Sequence, residues 1–177
     1  MQKRKLIIGL AILGIGAIAW YWFRPELLFI DHTVHEEFPG TTDGKTYTPA
    51  RPSVLLATGS FHSVAHQSQG VATVHRLADG TRVLRFTEFE TSNGPDVHVY
   101  LVAADDAQDN ATVQDADFID LGSLKGNKGD QNYVLPAGAD LAKYQAVTIW
   151  CQRFSVNFAT APLTARSVPG AESSRNG

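Results

Sequence analysis

Val71-Ala72-Thr73-Val74-His75-Arg76, then Leu77-Ala78-Asp79-Gly80-Thr81, then Arg82-Val83-Leu84-Arg85-Phe86-Thr87 is the stretch that decides the fold class. Its side chains alternate with a period of two rather than 3.6, and β-branched and aromatic residues are frequent. Asp79-Gly80 is a turn pair that suits a two-stranded antiparallel hairpin. The same period recurs in Val97-His98-Val99-Tyr100-Leu101-Val102, which follows the turn residues Ser92-Asn93-Gly94-Pro95. Further strands are expected over Ser53–Thr58, Phe118–Leu121, Tyr133–Leu135, Ala146–Gln152 and Phe154–Thr160, with one short helical stretch near Ala139–Tyr144. Seven or eight short strands separated by Gly-rich turns predict a single all-β domain, a β-sandwich or flattened β-barrel.

Outside this core the chain changes character. Lys3-Arg4-Lys5 precedes Leu6 to Phe23, an apolar run of 18 residues that is near the lower limit for crossing a hydrocarbon core. Trp20-Tyr21-Trp22-Phe23 suits the interfacial belt, and the basic residues before the helix predict a cytoplasmic N-terminus with the domain outside. Ala17-Ile18-Ala19 resembles a signal-peptidase site, so a cleaved signal peptide is the rival. The bulky aromatics just past it favour a retained anchor. The expected organisation is an anchor over 1–24, a Pro-containing spacer over 25–52, a β domain over 53–164 and a small, polar, flexible tail over 165–177.

Charge narrows the function classes. Four of the fifteen basic residues lie in the first 24, where there is no acid, leaving eleven against eighteen acidic ones, a net of −7 for the remainder. Nucleic-acid binding rests on neutralising phosphates, and an acidic domain without a basic stripe is excluded from that class. The expected non-protein contact is a membrane, through residues 6–23.

One cysteine, Cys151, stands in a domain expected to be exported. With no internal partner its thiol is free, intermolecular or a ligand, unless it is a small core hydrophobe. From Val147 to Ile149 the apolar residues occupy odd positions, and from Phe154 to Phe158 even ones. A bulge or bend at Cys151–Arg153 would reconcile the two sets. Trp150 and Phe154 are the large side chains expected to pack the last two strands. His62, His66 and His98 are the imidazoles that, with the soft thiolate of Cys151, could hold copper or another transition-metal ion such as zinc, or ligate haem iron. The Cys-x-x-Cys-His haem motif is absent, no His follows Cys151, and Met1 is the only methionine, which disfavours attached haem and blue copper. Each histidine taken alone reads as a surface or hydrogen-bonded residue, and His32 and His35 carry no signal. Asp96 reads as a turn cap. No Ser-His-Asp pattern, phosphate loop or paired carboxylate stands out. Asn110-Ala111-Thr112 matches a glycosylation sequon, which matters only in a eukaryote.

Taken together, Gly59-x-Phe61, His66, Gly70 and Asn93-Gly94-Pro95-Asp96-x-x-Val99-Tyr100-Leu101 resemble the first half of the DM13 domain. Leu121-Gly122-x-Leu124-Lys125-Gly126, Gly129-x-Gln131-Asn132-Tyr133-x-Leu135-Pro136, Tyr144 and Val147-x-Ile149-Trp150-Cys151-x-x-Phe154-Ser155-Val156-x-Phe158 resemble the second. The resemblance runs from about Val54 to Leu163. It implies a small β domain built around a characteristic cysteine, here Cys151, and a part in electron transfer or redox chemistry. It also implies a haem- or metal-containing redox partner, since many such domains adjoin DOMON or cytochrome b561 domains that bind haem. The expectation is an extracytoplasmic redox domain centred on Cys151 with His66 as its helper. The alternatives are a non-catalytic envelope-protein-binding module with Cys151 in the core, and a thiol enzyme whose base is supplied by folding.

Overall fold

The structure is a computed structural model that describes residues 2–23, 30–39 and 53–166. The hairpin of residues 71–87 lies in the middle of the larger sheet. Strands β4 (Gln69–Arg76) and β5 (Arg82–Glu90) pair antiparallel from Arg76↔Arg82 to Val71↔Thr87. The Asp79 carboxylate accepts from the Thr81 N–H at 2.9 Å and closes the turn. Ala72, Val74, Leu84 and Phe86 fall on one face and are buried.

In chain order the remaining elements are helix α1 (Gln2–Phe23), β1 (Thr33–His35), β2 (Val54–Ser60), β3 (His62–Ser63), β6 (Val97–Val102), helix α2 (Asn110–Asp115), β7 (Phe118–Ser123), β8 (Lys128–Val134), β9 (Ala146–Cys151), β10 (Val156–Pro162) and β11 (Thr164–Ala165). They form two sheets, β1-β8-β5-β4-β2-β11 and β3-β10-β9-β6-β7. The fold is therefore all-β, a sandwich preceded by one apolar helix. Two of the chain's crossings between the sheets, from β2 to β3 and from β10 to β11, lie side by side. A β-carbon on Gly59 would lie 2.1 Å from the Pro162 carbonyl oxygen, so the two crossings meet where only glycine fits.

The core lies between the sheets, where Val99, Leu101, Val147 and Ile149 face Val74, Leu84, Phe86 and Phe89. Phe61 meets the rings of Phe86 and Phe89 edge-on, each at 4.9 Å. All six residues of β9 are buried. Its second face is covered by the segment around α2, where Tyr100, Val102, Ala107, Val113, Ala146 and Trp150 form a smaller cluster. Asn157 fastens that cover by donating to the Ala107 carbonyl at 2.8 Å.

Helix α1 has 22 residues, none of them buried, and is long and apolar enough to cross a membrane. At 1.5 Å per residue it measures about 33 Å, of which the apolar part Leu6–Phe23 gives about 27 Å, close to the thickness of a hydrocarbon core of about 30 Å.

Several expectations differ from what is found. Among the described residues there are eleven strands rather than seven or eight, because three consist of only two or three residues. Ala139–Tyr144 forms turns, with Ala139 N–H donating to Pro136 O and Tyr144 N–H to Asp140 O. The helix within the domain is α2, started by Asp109, whose carboxylate accepts from the Thr112 N–H. Strand β10 begins at Val156, and Phe154 lies in a turn, 44% exposed, so it is not the core residue expected.

Part of the stretch read as spacer belongs to the domain. β1 pairs parallel with β8, Thr33 opposite Lys128 and His35 opposite Asp130. Glu36 binds the Lys125 ammonium at 2.7 Å, and the Arg85 guanidinium donates to the Glu36 carbonyl. Residues 1 and 24 of the expected anchor, 25–29 and 40–52 of the spacer, and 167–177 of the tail lie outside the described residues. Thr164, the last residue of the expected domain, and Ala165, the first of the expected tail, pair with Thr58 and Ala57 of β2.

Candidate functional site

The break in strand parity around Cys151 is a hairpin turn. β9 ends at Cys151, β10 starts at Val156, and these two residues are cross-strand partners. Gln152 to Ser155 make the connection, with Ser155 in the left-handed region at φ 52°. The Gln152 N–H donates to the Asp96 carbonyl at 2.9 Å and ties the turn to the loop before β6.

Strand alternation then decides where each candidate side chain goes. Val97 is the β6 partner of Cys151, and His98 is the partner of Trp150. Cross-strand partners share a face, so Cys151 and Val97 point into the sandwich while Trp150 and His98 point out of it. Cys151 is 0% exposed and belongs to the main core together with Val97 and Phe158. Its sulfur has no hydrogen-bond partner among the described residues.

The three histidines go elsewhere. His66 lies against Phe158, ring centroids 3.9 Å apart, and its burial pushes its pKa below the usual imidazole value. His62 binds Asp106 through Nε2 at 2.8 Å, and both line a shallow cavity of about 270 Å³. His98 stands between two carboxylates, with Nδ1 at 3.0 Å from Asp120 and Nε2 at 3.5 Å from Asp96. Cys151, His62, His66 and His98 do not converge, and among the described residues no group of three or more His, Cys, Asp or Glu is arranged to hold a metal ion. His32, read as carrying no signal, accepts a structural role. Its N–H donates to Asn127 Oδ1 at 2.7 Å and its Nδ1 meets the Lys125 carbonyl at 2.8 Å. The Asp96 carboxylate faces His98 instead of capping its own turn.

On the outer face, next to the Cys151 hairpin, lies a polar group that the sequence reading missed. Gln152 Nε2 donates to Tyr100 Oη at 2.8 Å and to Asp120 at 3.1 Å. Nδ1 of His98 donates to Asp120, and the Gly122 N–H donates to the same carboxylate at 2.8 Å. Tyr100 stacks on Phe118 at 4.4 Å and lies 6.4 Å from Trp150, so three aromatic rings form a row across β7, β6 and β9. Burial, first of all, raises the pKa of Tyr100 and keeps its hydroxyl protonated. The alternation of β6 puts His98 and Tyr100 on one face, but the pairing with Asp120 depends on β7, whose register no local pattern specifies.

The arrangement defines a class: a mostly antiparallel sandwich preceded by an apolar helix, with one enclosed thiol at the base of a tight hairpin and a row of aromatic rings on the adjoining face. A family profile described as "Electron transfer DM13" matches residues 60–163, and the chain belongs to that family. No curated protein and no solved structure matches it.

Proposed function

We propose that this protein is a membrane-tethered, extracytoplasmic electron-transfer domain whose redox role is centred on Cys151 and whose partner carries haem or a metal. The observation that carries the reading is the family match, which spans the hairpin bearing the chain's single thiol. Tethering is supported by α1 and by Lys3-Arg4-Lys5 before it, which favour a cytoplasmic N-terminus and a domain on the far side. His66 is in contact with the ring of Phe158, which belongs to the core that holds Cys151, and this contact supports it as the helper imidazole.

A second reading has its own observation. The complete enclosure of Cys151 favours a binding module for another envelope protein, with the thiol a small core residue. Voltammetry and metal analysis of the purified full-length protein separate the two. A redox couple or bound metal that disappears in a folded Cys151→Ala variant supports the first. Neither signal in the wild type supports the second.

A further inference from the structure

Helix α1 and the Cys151 hairpin touch. The Arg153 guanidinium donates to the Trp22 carbonyl at 3.1 Å and lies over the Trp22 ring at 5.9 Å. Phe154 stacks on Phe23 with ring centroids 6.0 Å apart. Carbonyls in the last turn of a helix lack intrahelical partners, and an arginine there satisfies one and opposes the helix dipole. These contacts join the turn to Trp20-Tyr21-Trp22-Phe23, the aromatic end of α1 that suits a membrane–water interface.

Chain geometry places the same end of the sandwich beside the membrane independently of those side chains. Asn93 Nδ2 donates to the Ile30 carbonyl, and Asp31 pairs with Lys128 at the start of β8. The chain thus enters the domain at the end where β5 stops, β6 starts and the β9–β10 turn lies. Seven peptide steps separate Phe23 from Ile30, and even fully extended they reach only about 25 Å. The β4–β5 turn at residues 77–81 marks the opposite end.

We propose that the turn Gln152–Ser155 is a membrane-contact surface, seated in the lipid headgroup and ester layer of the bilayer that α1 crosses. The inference rests on the tethering reading above. Phe154, 44% exposed in the turn, supplies the ring that this layer accommodates, and Arg153 supplies a guanidinium that matches lipid phosphate. The base of the hairpin that carries Cys151 then faces the membrane, and the 77–81 turn faces water.

The test uses the full chain in phosphatidylethanolamine–phosphatidylglycerol nanodiscs, spin-labelled at Phe154→Cys or at Ala78→Cys, two exposed turn positions that leave Cys151 enclosed. Collision with oxygen, relative to an aqueous nickel chelate, is expected to be several-fold higher at 154 than at 78. Equal, water-like ratios in a protein that resists alkaline extraction from membranes overturn the proposal and leave tethering intact. Release by alkaline extraction overturns the tethering reading and the proposal together. Wild-type protein carried through the same labelling checks that Cys151 adds no signal.

Discussion

The carbonyl oxygen of Val34 lies 2.1 Å from where a β-carbon on Gly129 would stand, so β1 can pair with β8 only because position 129 has no side chain. Gly129 also sits at φ +94°, a conformation other residues adopt only under strain. Gly126 meets the same segment, its absent β-carbon 2.4 Å from the carbonyl oxygen of His32, just before β1, and 2.7 Å from a Val34 methyl within it. Both glycines lie inside the family-matched span, and the strand they admit lies outside it.

Gly129→Ala is therefore expected to lower stability by about 1–3 kcal/mol through backbone strain alone, and to free β1 from the sheet. Denaturant unfolding reads the first effect. Hydrogen exchange reads the second, as a loss of protection confined to Thr33–His35 and their β8 partners. An unchanged exchange pattern would mean that β1 contributes nothing to the folded domain.

What the sequence disclosed follows from how local each signal is. The β4–β5 hairpin and β6 were legible because alternation and turn residues lie within a dozen positions of each other. Strand β1 was not, since three residues in a proline-containing stretch show no period and the partner strand begins 95 residues later. The Cys151 region was half legible. The parity change marked the right place, but a four-residue hairpin turn and a bulge produce the same local pattern, and only the pairing of Cys151 with Val156 separates them. That choice also determines Phe154, which a bulged strand would bury and the turn exposes. The outward group of His98, Asp120 and Gln152 needs two strand registers at once, which no single stretch encodes.

Trp150 and Phe154 are four residues apart and should respond oppositely to truncation. Trp150 is 6% exposed and packs with Tyr100 and Val102, so Trp150→Ala is expected to cost about 3–5 kcal/mol. Phe154→Ala in the exposed turn is expected to stay within about 0.5 kcal/mol in detergent. Melting curves of the two variants check the contrast, and a large loss at Phe154 would contradict its placement in the turn.

Acid sensitivity should begin near neutrality. Burial lowers the pKa of both His66 and His75, and the Arg85 charge adds to the effect at His75. The Nδ1 atom of His75 is buried without a hydrogen-bond partner. An imidazole with a depressed folded pKa binds fewer protons when folded than when unfolded. Its contribution is complete above the unfolded value of about 6.5 and is lost as pH falls toward the folded one. Stability is therefore expected to decline from about pH 7 downward, before the carboxylates titrate. Replacing His66 and His75 together by Gln should flatten that part of the profile, and an unaltered slope would assign the decline to other groups.

Cys151 should be silent toward thiol reagents while the domain is folded. Its side chain is fully enclosed, and reaction requires both access and thiolate. Mass spectrometry after maleimide treatment is expected to show an unmodified protein under native conditions and complete modification in denaturant, with a labelling rate that tracks opening of the hairpin. Cys151→Ser should cost about 1–3 kcal/mol, because a hydroxyl takes the place of a sulfur that has no hydrogen-bond partner, whereas Cys151→Ala loses packing without burying an unpaired polar group. Ser falling below Ala in stability is the signature of the enclosed site. Rapid labelling of the native protein would mean that the β9–β10 hairpin opens readily, and would make the thiol directly available to a redox partner.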